Sequence, residues 1–250
     1  MSLTFQRAII VGGSSGMGAE IARQLAAGGT AVALVGHRAD ELERVAAEIN
    51  ARGAGRAIVG VHDVRRTAEA PGVFASLVRD LGGLDLLLYA AGIMVVPEES
   101  VWDFGQDEAQ MDVNVVGAMA WTHLAGARFE AARSGSIVAI SSIAGERGRR
   151  SMPGYTASKA ALTAWMEALR NRLSRYGVNV VTVKPGVVDT PMTRDVVRKP
   201  MMISAERAAS LILAAARRGD GASAYIPARW GAVAFVLHHV PSWLFRKLNL

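Results

Sequence analysis

Arg7-Ala8-Ile9-Ile10-Val11-Gly12-Gly13-Ser14-Ser15-Gly16-Met17-Gly18 is the stretch on which the fold turns. A short apolar run ends in a glycine-rich turn, and Ala19 to Ala27 then carries Ile21, Ala22 and Leu25 at helical spacing. Strand, glycine turn and helix in that order make a phosphate-binding arrangement. Glycines let the backbone approach a pyrophosphate, and the helix N-terminus offers unpaired N–H groups and the positive end of its dipole. The glycines at 12, 16 and 18 depart from G-x-G-x-x-G spacing, and a plain tight turn uses the same residues. The surrounding pattern has to decide.

That pattern alternates. Thr30 to Val35 predicts a strand closed by Gly36-His37-Arg38, and Ala39 to Ile49 a helix with Leu42, Val45, Ala46 and Ile49 on one side. Arg56 to Val61 predicts a strand before His62-Asp63-Val64, Ala68 to Leu81 a helix, and Leu84 to Tyr89 a strand before Ala90-Ala91-Gly92. A long helix is expected over Ala109 to Ala132, carrying Asn114, then a strand over Ser136 to Ile140 ending in Ser141-Ser142. A helix from Tyr155 to about Arg175 leads to a strand over Asn179 to Val183 and then Lys184-Pro185-Gly186. Strands alternating with helices through short connections imply a parallel sheet covered on both faces. No linker or repeat divides the chain, so residues 1–250 read as one α/β domain. In such sheets ligands bind outside the C-terminal strand ends, where the glycine turn, His37, Arg38, Asp63, Gly92, Ser142 and Pro185-Gly186 all fall. A nucleotide-sized ligand is expected there.

Met152-Pro153-Gly154-Tyr155-Thr156-Ala157-Ser158-Lys159 gives the chemistry. At helical spacing Tyr155 and Lys159 share a face, one turn apart. A tyrosine hydroxyl titrates near ~10, and an ammonium beside it favours the phenolate, making a proton donor or acceptor usable near neutral pH. At the second strand end, a free ribose hydroxyl calls for an acid and a 2′-phosphate for an arginine. The chain has Gly36-His37-Arg38 and no acid before Asp40, so Arg38 with Ser14, and His37 beside them, favours NADP(H) over NAD(H).

Composition narrows the classes. The chain has 250 residues, half of them hydrophobic, and no cysteine, which excludes disulfides, thiolate catalysis and thiolate metal sites. The net charge of +6 comes without a nucleic-acid reader motif, so no nucleic-acid partner is expected. Met1 to Arg7 shows no signal-peptide core, and a cytoplasmic location is expected. His238 and His239 lack a third ligand nearby, so no metal site is expected.

Together these residues resemble the short-chain dehydrogenase/reductase family over about 7–193, with a compatible helix and strand up to about 227. The family turn T-G-x-x-x-G-x-G is matched by Val11 to Gly18, with valine for threonine; its helical asparagine by Asn114; its serine by Ser142, with Ser141 the lesser candidate; and its Tyr-x-x-x-Lys by Tyr155 and Lys159. Its P-G-x-V-x-T segment is matched by Pro185 to Thr190, and its adenine-contacting aspartate by Asp63. Tyr89-Ala90-Ala91-Gly92 stands where the family usually has N-N-A-G. The resemblance implies a doubly wound, Rossmann-like sheet of about seven mostly parallel strands.

It also implies an oxidoreductase that interconverts a carbonyl and a secondary alcohol by hydride transfer. Tyr155 would donate or accept the proton, Lys159 would lower the tyrosine pKa and hold the nicotinamide ribose, Ser142 would hold the substrate oxygen, and Asn114 would position a relay water. Cofactor contacts would come from Gly12, Ser14, Ser15, Gly16, Met17, Gly18, His37, Arg38, Asp63, Val64, Ala91, Gly92, Tyr155, Lys159, Pro185, Gly186, Val188 and Thr190. The alternatives are a cofactor-sensing regulator without turnover and a membrane-peripheral lipid reductase; the intact set of four argues for catalysis. Residues 191–204 would form a substrate flap, and a homodimer or homotetramer is expected. In the apolar tail at 229–250, the run Trp230 to Leu237 before the histidines is too short to span a bilayer, which needs ~20 residues. Two short helices broken at Pro241 fit it, buried in a subunit interface or against the pocket, or lying on a membrane surface. Arg147, Arg149 and Arg150 fall near the site mouth, as solvated residues, a subunit contact or an attractor for an anionic substrate.

Overall fold

β1 (Arg7–Val11) is buried from Ala8 onward, and its alternate side chains enter two different cores. Ala8 and Ile10 pack with the apolar faces of α1 (Gly16–Ala27), α2 (Ala39–Arg52) and α7 (Ala205–Arg218). Ile9 and Val11 pack with α3 (Ala70–Leu81), α5 (Gly117–Ala132) and α6 (Pro153–Leu173). Side chains alternate along a strand, so one covered on both faces needs a continuous apolar run rather than an alternating one. Each fully buried Val, Leu or Ile side chain contributes ~1.5–3 kcal/mol.

The computed structural model describes residues 3–98, 100–194, 196 and 199–248. β1 lies in a seven-stranded sheet with β2 (Ala31–Gly36), β3 (Ala57–Val61), β4 (Leu86–Tyr89), β5 (Ser136–Ile140), β6 (Asn179–Pro185) and β9 (Ser223–Ile226). The order is β3-β2-β1-β4-β5-β6-β9 and every pairing is parallel. A short parallel pair, β7 (Val188–Asp189) and β8 (Ile203–Ser204), sits apart from it. The order reverses between β1 and β4, where Val11 pairs with Tyr89, and a doubly wound sheet opens its ligand crevice at that reversal. After β9 come α8 (Trp230–His239) and α9 (Ser242–Phe245), separated at Val240-Pro241. Among the described residues no helix is long and apolar enough to cross a membrane.

The helix expected over Ala109 to Ala132 is different in form. It starts earlier, as α4 (Phe104–Met111), because Asp103 caps it by accepting from the Gln106 amide at 3.2 Å. It then widens into a π turn over Asp112–Val116, with Asn114 inside, before α5 begins. The Tyr89 hydroxyl donates to the Val113 carbonyl at 2.6 Å, inside that turn. α6 likewise begins two residues before Tyr155, with Pro153 at its first position, where a missing N–H costs nothing. In the expected flap, Pro191–Thr193 forms a 3-10 turn boxed by Thr190 and Thr193, while Asp195, Val197 and Arg198 lie outside the described residues.

Two glycines fix how α1 meets the sheet. Gly12 has φ +91°, and a Cβ there would collide with the Ala91 amide at the end of β4. A Cβ on Gly18 would collide with the Gly12 carbonyl. Gly18→Ala is therefore expected to lower unfolding stability by about 1–3 kcal/mol, the usual cost of overpacking, as read by denaturant titration. A variant as stable as wild type would mean that α1 can lift off the turn without cost.

Candidate active site

The N-terminal turns of α6 carry Tyr155 and Lys159, both buried. The Lys159 ammonium donates to the Ile140 carbonyl at the end of β5, 3.0 Å away, and lies 5.8 Å from the centroid of the Tyr155 ring. Ser142, just past β5, accepts from the Ala144 amide at 3.0 Å and so caps the 3-10 turn Ile143–Glu146. The Ser142 hydroxyl stands close enough to the Tyr155 hydroxyl to favour its ionised form. Ser141 faces away: its hydroxyl donates to the Lys159 carbonyl at 2.8 Å and meets Thr163 Oγ1 at 2.7 Å.

Burial raises the Tyr155 hydroxyl above its ordinary value, and the Ser142 hydrogen bond and the Arg149 charge pull it back only in part. Burial also lowers Lys159, to about 8. The expected role of Lys159 is to pull the tyrosine down. In the structure the ammonium is directed to the Ile140 carbonyl, and the opposing influences on Tyr155 are Ser142 and Arg149. Arg149 is half-buried beside the site, and burial holds its own guanidinium below the usual range.

Asn114 joins the loop after β4 to α6. Its amide donates to the Ile93 carbonyl and to Ser158 Oγ, both at 2.9 Å, and its Oδ1 accepts from the Ile93 amide at 2.8 Å. Both donors are used, and one lone pair of Oδ1 is left. A Cβ on Gly92 would stand 3.1 Å from that Oδ1 and 3.4 Å from the Lys159 ammonium, so the glycine keeps a space open between them.

A cleft of about 200 Å³ runs over the strand ends from the glycine turn to Thr190, Pro191 and Met192. Of the expected cofactor set, Gly12, Ser14, Ser15, Gly16, Met17, Gly18, His37, Arg38, Asp63, Val64, Ala91, Gly92 and Thr190 line it, together with His62 and Arg65. Tyr155, Lys159, Pro185, Gly186 and Val188 do not line it. Arg38 donates through Nη2 to Ser14 and Ser15, each at 2.9 Å, and through Nη1 to Glu41 at 2.7 Å. Glu41, in the first turn of α2, thus shares the Arg38 guanidinium with the two serines. The Arg65 guanidinium holds the Asp63 carboxyl down to about 2. A larger cavity, about 620 Å³, opens at the other end of the sheet beside Phe5, Arg170 and Asn179. Its polar side chains are spent on structure: Asn179 bonds Ser136 and the Ala216 carbonyl, and Arg170 bonds the Val180 carbonyl and Thr182.

Three features were not legible in advance. Tyr89 is fully buried and reaches the π turn of Asn114 with its hydroxyl, which burial raises well above its usual pKa. Glu146 ends the turn begun by Ser142, and its carboxylate accepts from Lys184 (2.8 Å), Tyr225 (3.1 Å) and His238 (2.6 Å). Burial pushes the Glu146 carboxyl up, but Lys184, His238 and Tyr225 outweigh it and leave it below the usual range. Finally, the buried indole N–H of Trp230 has no hydrogen-bond partner among the described residues and presses on Gly186, where a Cβ would collide with the ring.

The chain belongs to the short-chain dehydrogenase family, whose profile matches residues 6–200. It is an oxidoreductase by that membership, with the family's doubly wound sheet. It is 30% identical over 250 residues to an uncharacterized oxidoreductase of Mycobacterium tuberculosis, covering 98% of each chain. A 3-oxoacyl-[acyl-carrier protein] reductase from Brucella melitensis, solved with NAD, is 27% identical with a TM-score of 0.81, covering 90% of this chain and 96% of that one. A Beutenbergia cavernae structure with NADP at low occupancy is 27% identical with a TM-score of 0.84, covering 92% and 98%. The family uses NAD(P)(H), and these two neighbours divide between the forms.

Tyr89→Phe is expected to cost about 1–3 kcal/mol in denaturant unfolding, because the buried Val113 carbonyl loses its donor. Glu146 contributes stability that is complete above its unfolded pKa and lost as pH falls through its lowered folded value. Acid unfolding of Glu146→Gln should therefore lose part of the wild type's pH dependence below the ordinary carboxylate range. An unchanged acid limb would remove the carboxylate from the balance.

Proposed function

We propose that the protein is an NADP(H)-dependent oxidoreductase interconverting a carbonyl compound and a secondary alcohol, with Tyr155 giving the proton in the reductive direction. The observation that carries this reading is the hydroxyl pair Ser142–Tyr155, with the buried ammonium of Lys159 one helical turn behind it. A tyrosine raised above its ordinary pKa is protonated at neutral pH and can donate. Ser142 orients the same oxygen and offers the substrate carbonyl a second hydrogen bond. Asn114 and Gly92 leave a passage toward Lys159 through which a water relay would refill the proton.

The residues present fit a dinucleotide. Gly12 and Gly18 leave backbone where a side chain would block the approach, and α1 directs its N-terminus at the cleft. Gly92 keeps open the space between Asn114 and Lys159. Arg38 with Ser14 and Ser15 forms a cationic group with two hydroxyls, suited to a 2′-phosphate. When bound, the dinucleotide supplies hydride at the carbonyl carbon.

Tyr155→Phe should lower NADPH oxidation across a panel of carbonyl compounds by roughly 10²- to 10⁴-fold, with NADPH binding by fluorescence titration unchanged. Binding without tyrosine-dependent turnover would instead favour a cofactor-sensing protein. Arg38→Ala should weaken NADPH by on the order of 10- to 100-fold while leaving NADH nearly unchanged. Equal losses for both would overturn the NADP preference. Lys159 carries its proton below about 8 and loses it above, so kcat for reduction should fall as pH rises through that value. Lys159→Arg, which stays charged, should remove that limb from the profile.

A further inference from the structure

From Gly221 to Leu250 the sequence has no Asp or Glu, but it has Arg229, Arg246 and Lys247. One face of α8 is spent on the protein: Trp230, Val233 and Ala234 pack with Ile143, Val187 and Tyr225. The opposite face, Ala232, Phe235, Val236 and His239, follows helical spacing and is exposed. Phe235 is 66% exposed, Val236 60% and, on α9, Trp243 57%.

These apolar side chains are held on a rigid bracket. His238 bonds Glu146 at 2.6 Å. Arg147 donates to the carbonyls of Leu237 and Val240, and its guanidinium lies 4.2 Å from the centroid of the Phe245 ring. Both anchors follow Ser142 in the same turn. At the other end of α8, Arg229 donates to the Met201 carbonyl in the flap at 3.1 Å. The exposed face therefore adjoins the flap, where Met201 and Met202 are also about 40% exposed (39% and 42%).

We propose that the outer faces of α8 and α9 dock this protein on an anionic lipid bilayer, with the mouth of the active site at the membrane surface. The chemistry fits that occupant. Phe and Trp with Lys and Arg, on short helices that lie in the plane of the interface, are the composition of a peripheral membrane anchor. α8 has ten residues and cannot span. A second copy fits less well, because a two-fold contact through this face would set the same cations against each other with no acid in the segment to answer them. Anionic headgroups supply that answer. The surface does not depend on which dinucleotide is used or on the identity of the proton donor.

The test is flotation of the full-length protein with phosphatidylcholine vesicles and with vesicles of phosphatidylcholine and phosphatidylglycerol. Wild type should float with the anionic vesicles roughly tenfold more than with the neutral ones, and less so at high salt. The outward variant F235S/V236S/W243S/L244S and the charge variant R246S/K247S should each lose roughly tenfold of that binding. Turnover of a water-soluble carbonyl substrate should be unchanged in both, which shows the fold is intact. Wild type that stays unbound, or that binds neutral and anionic vesicles equally, overturns the proposal. So does a wild-type oligomer that fails to float and that the outward variant converts to monomer in sedimentation, since the tail is then a contact between copies. Flotation without turnover of any soluble carbonyl supports docking while overturning the reading under Proposed function.

Discussion

At the top of β1 and β4 two backbones approach where no side chain would fit. Gly12 lies against the Ala90–Ala91 peptide, and Gly18, in the first turn of α1, lies over the Gly12 carbonyl. The Gly12 and Gly13 amides both reach the Val35 carbonyl, which ties the same turn to β2. The helix N-terminus, with its unpaired amides, is thereby set directly over the point where the strand order reverses. The position of Ser14 and Ser15 within reach of Arg38 follows from it. So does the cleft itself, which opens between this turn and the ends of β2, β3 and β4.

The titratable groups divide into two environments. Glu146 is half-buried and answered on three sides, so its charge is kept. Lys159 is the more deeply buried of the two, yet among the described residues no acid pairs with it and only the Ile140 carbonyl accepts from it. An unpaired ammonium out of water titrates low, and a phenol out of water titrates high. Below about 8 the two therefore stand as cation and neutral hydroxyl on one helix face. A structure selected only for stability would have given Lys159 a carboxylate. Leaving it without one is a local cost, of the sort that collects at functional sites.

What the sequence revealed and what it hid differ by distance along the chain. The continuous apolar run of β1, the glycine turn and Tyr155 with Lys159 are all local patterns, and periodicity reads them. The hydroxyl of Tyr89 acts on Val113, 24 residues away, and Glu146 on His238, 92 away. No period carries such a pairing. The helix through Asn114 misled for a subtler reason: a π turn inserts one residue into a pattern whose apolar positions on either side still look helical. The three arginines after Ser142 read alike in sequence and do not act alike. Arg147 is spent on the carbonyls of α8, and Arg149 is half-buried near Tyr155. Only tertiary packing separates them.

Position also explains why the tail belongs with the site. The turn Ile143–Glu146 begins with the serine that meets Tyr155 and ends with the carboxylate that holds His238. The Ala144 amide fixes the serine oxygen from within that turn, and Ile143 packs on Trp230 and Ala234 of α8. Trp230 in turn presses on Gly186, at the end of β6. Packed side chains and hydrogen bonds thus tie α8 to the turn that follows Ser142 on one side and to Gly186 on the other. The segment that looks most like an appendage in the sequence is the wall against which those two elements are set.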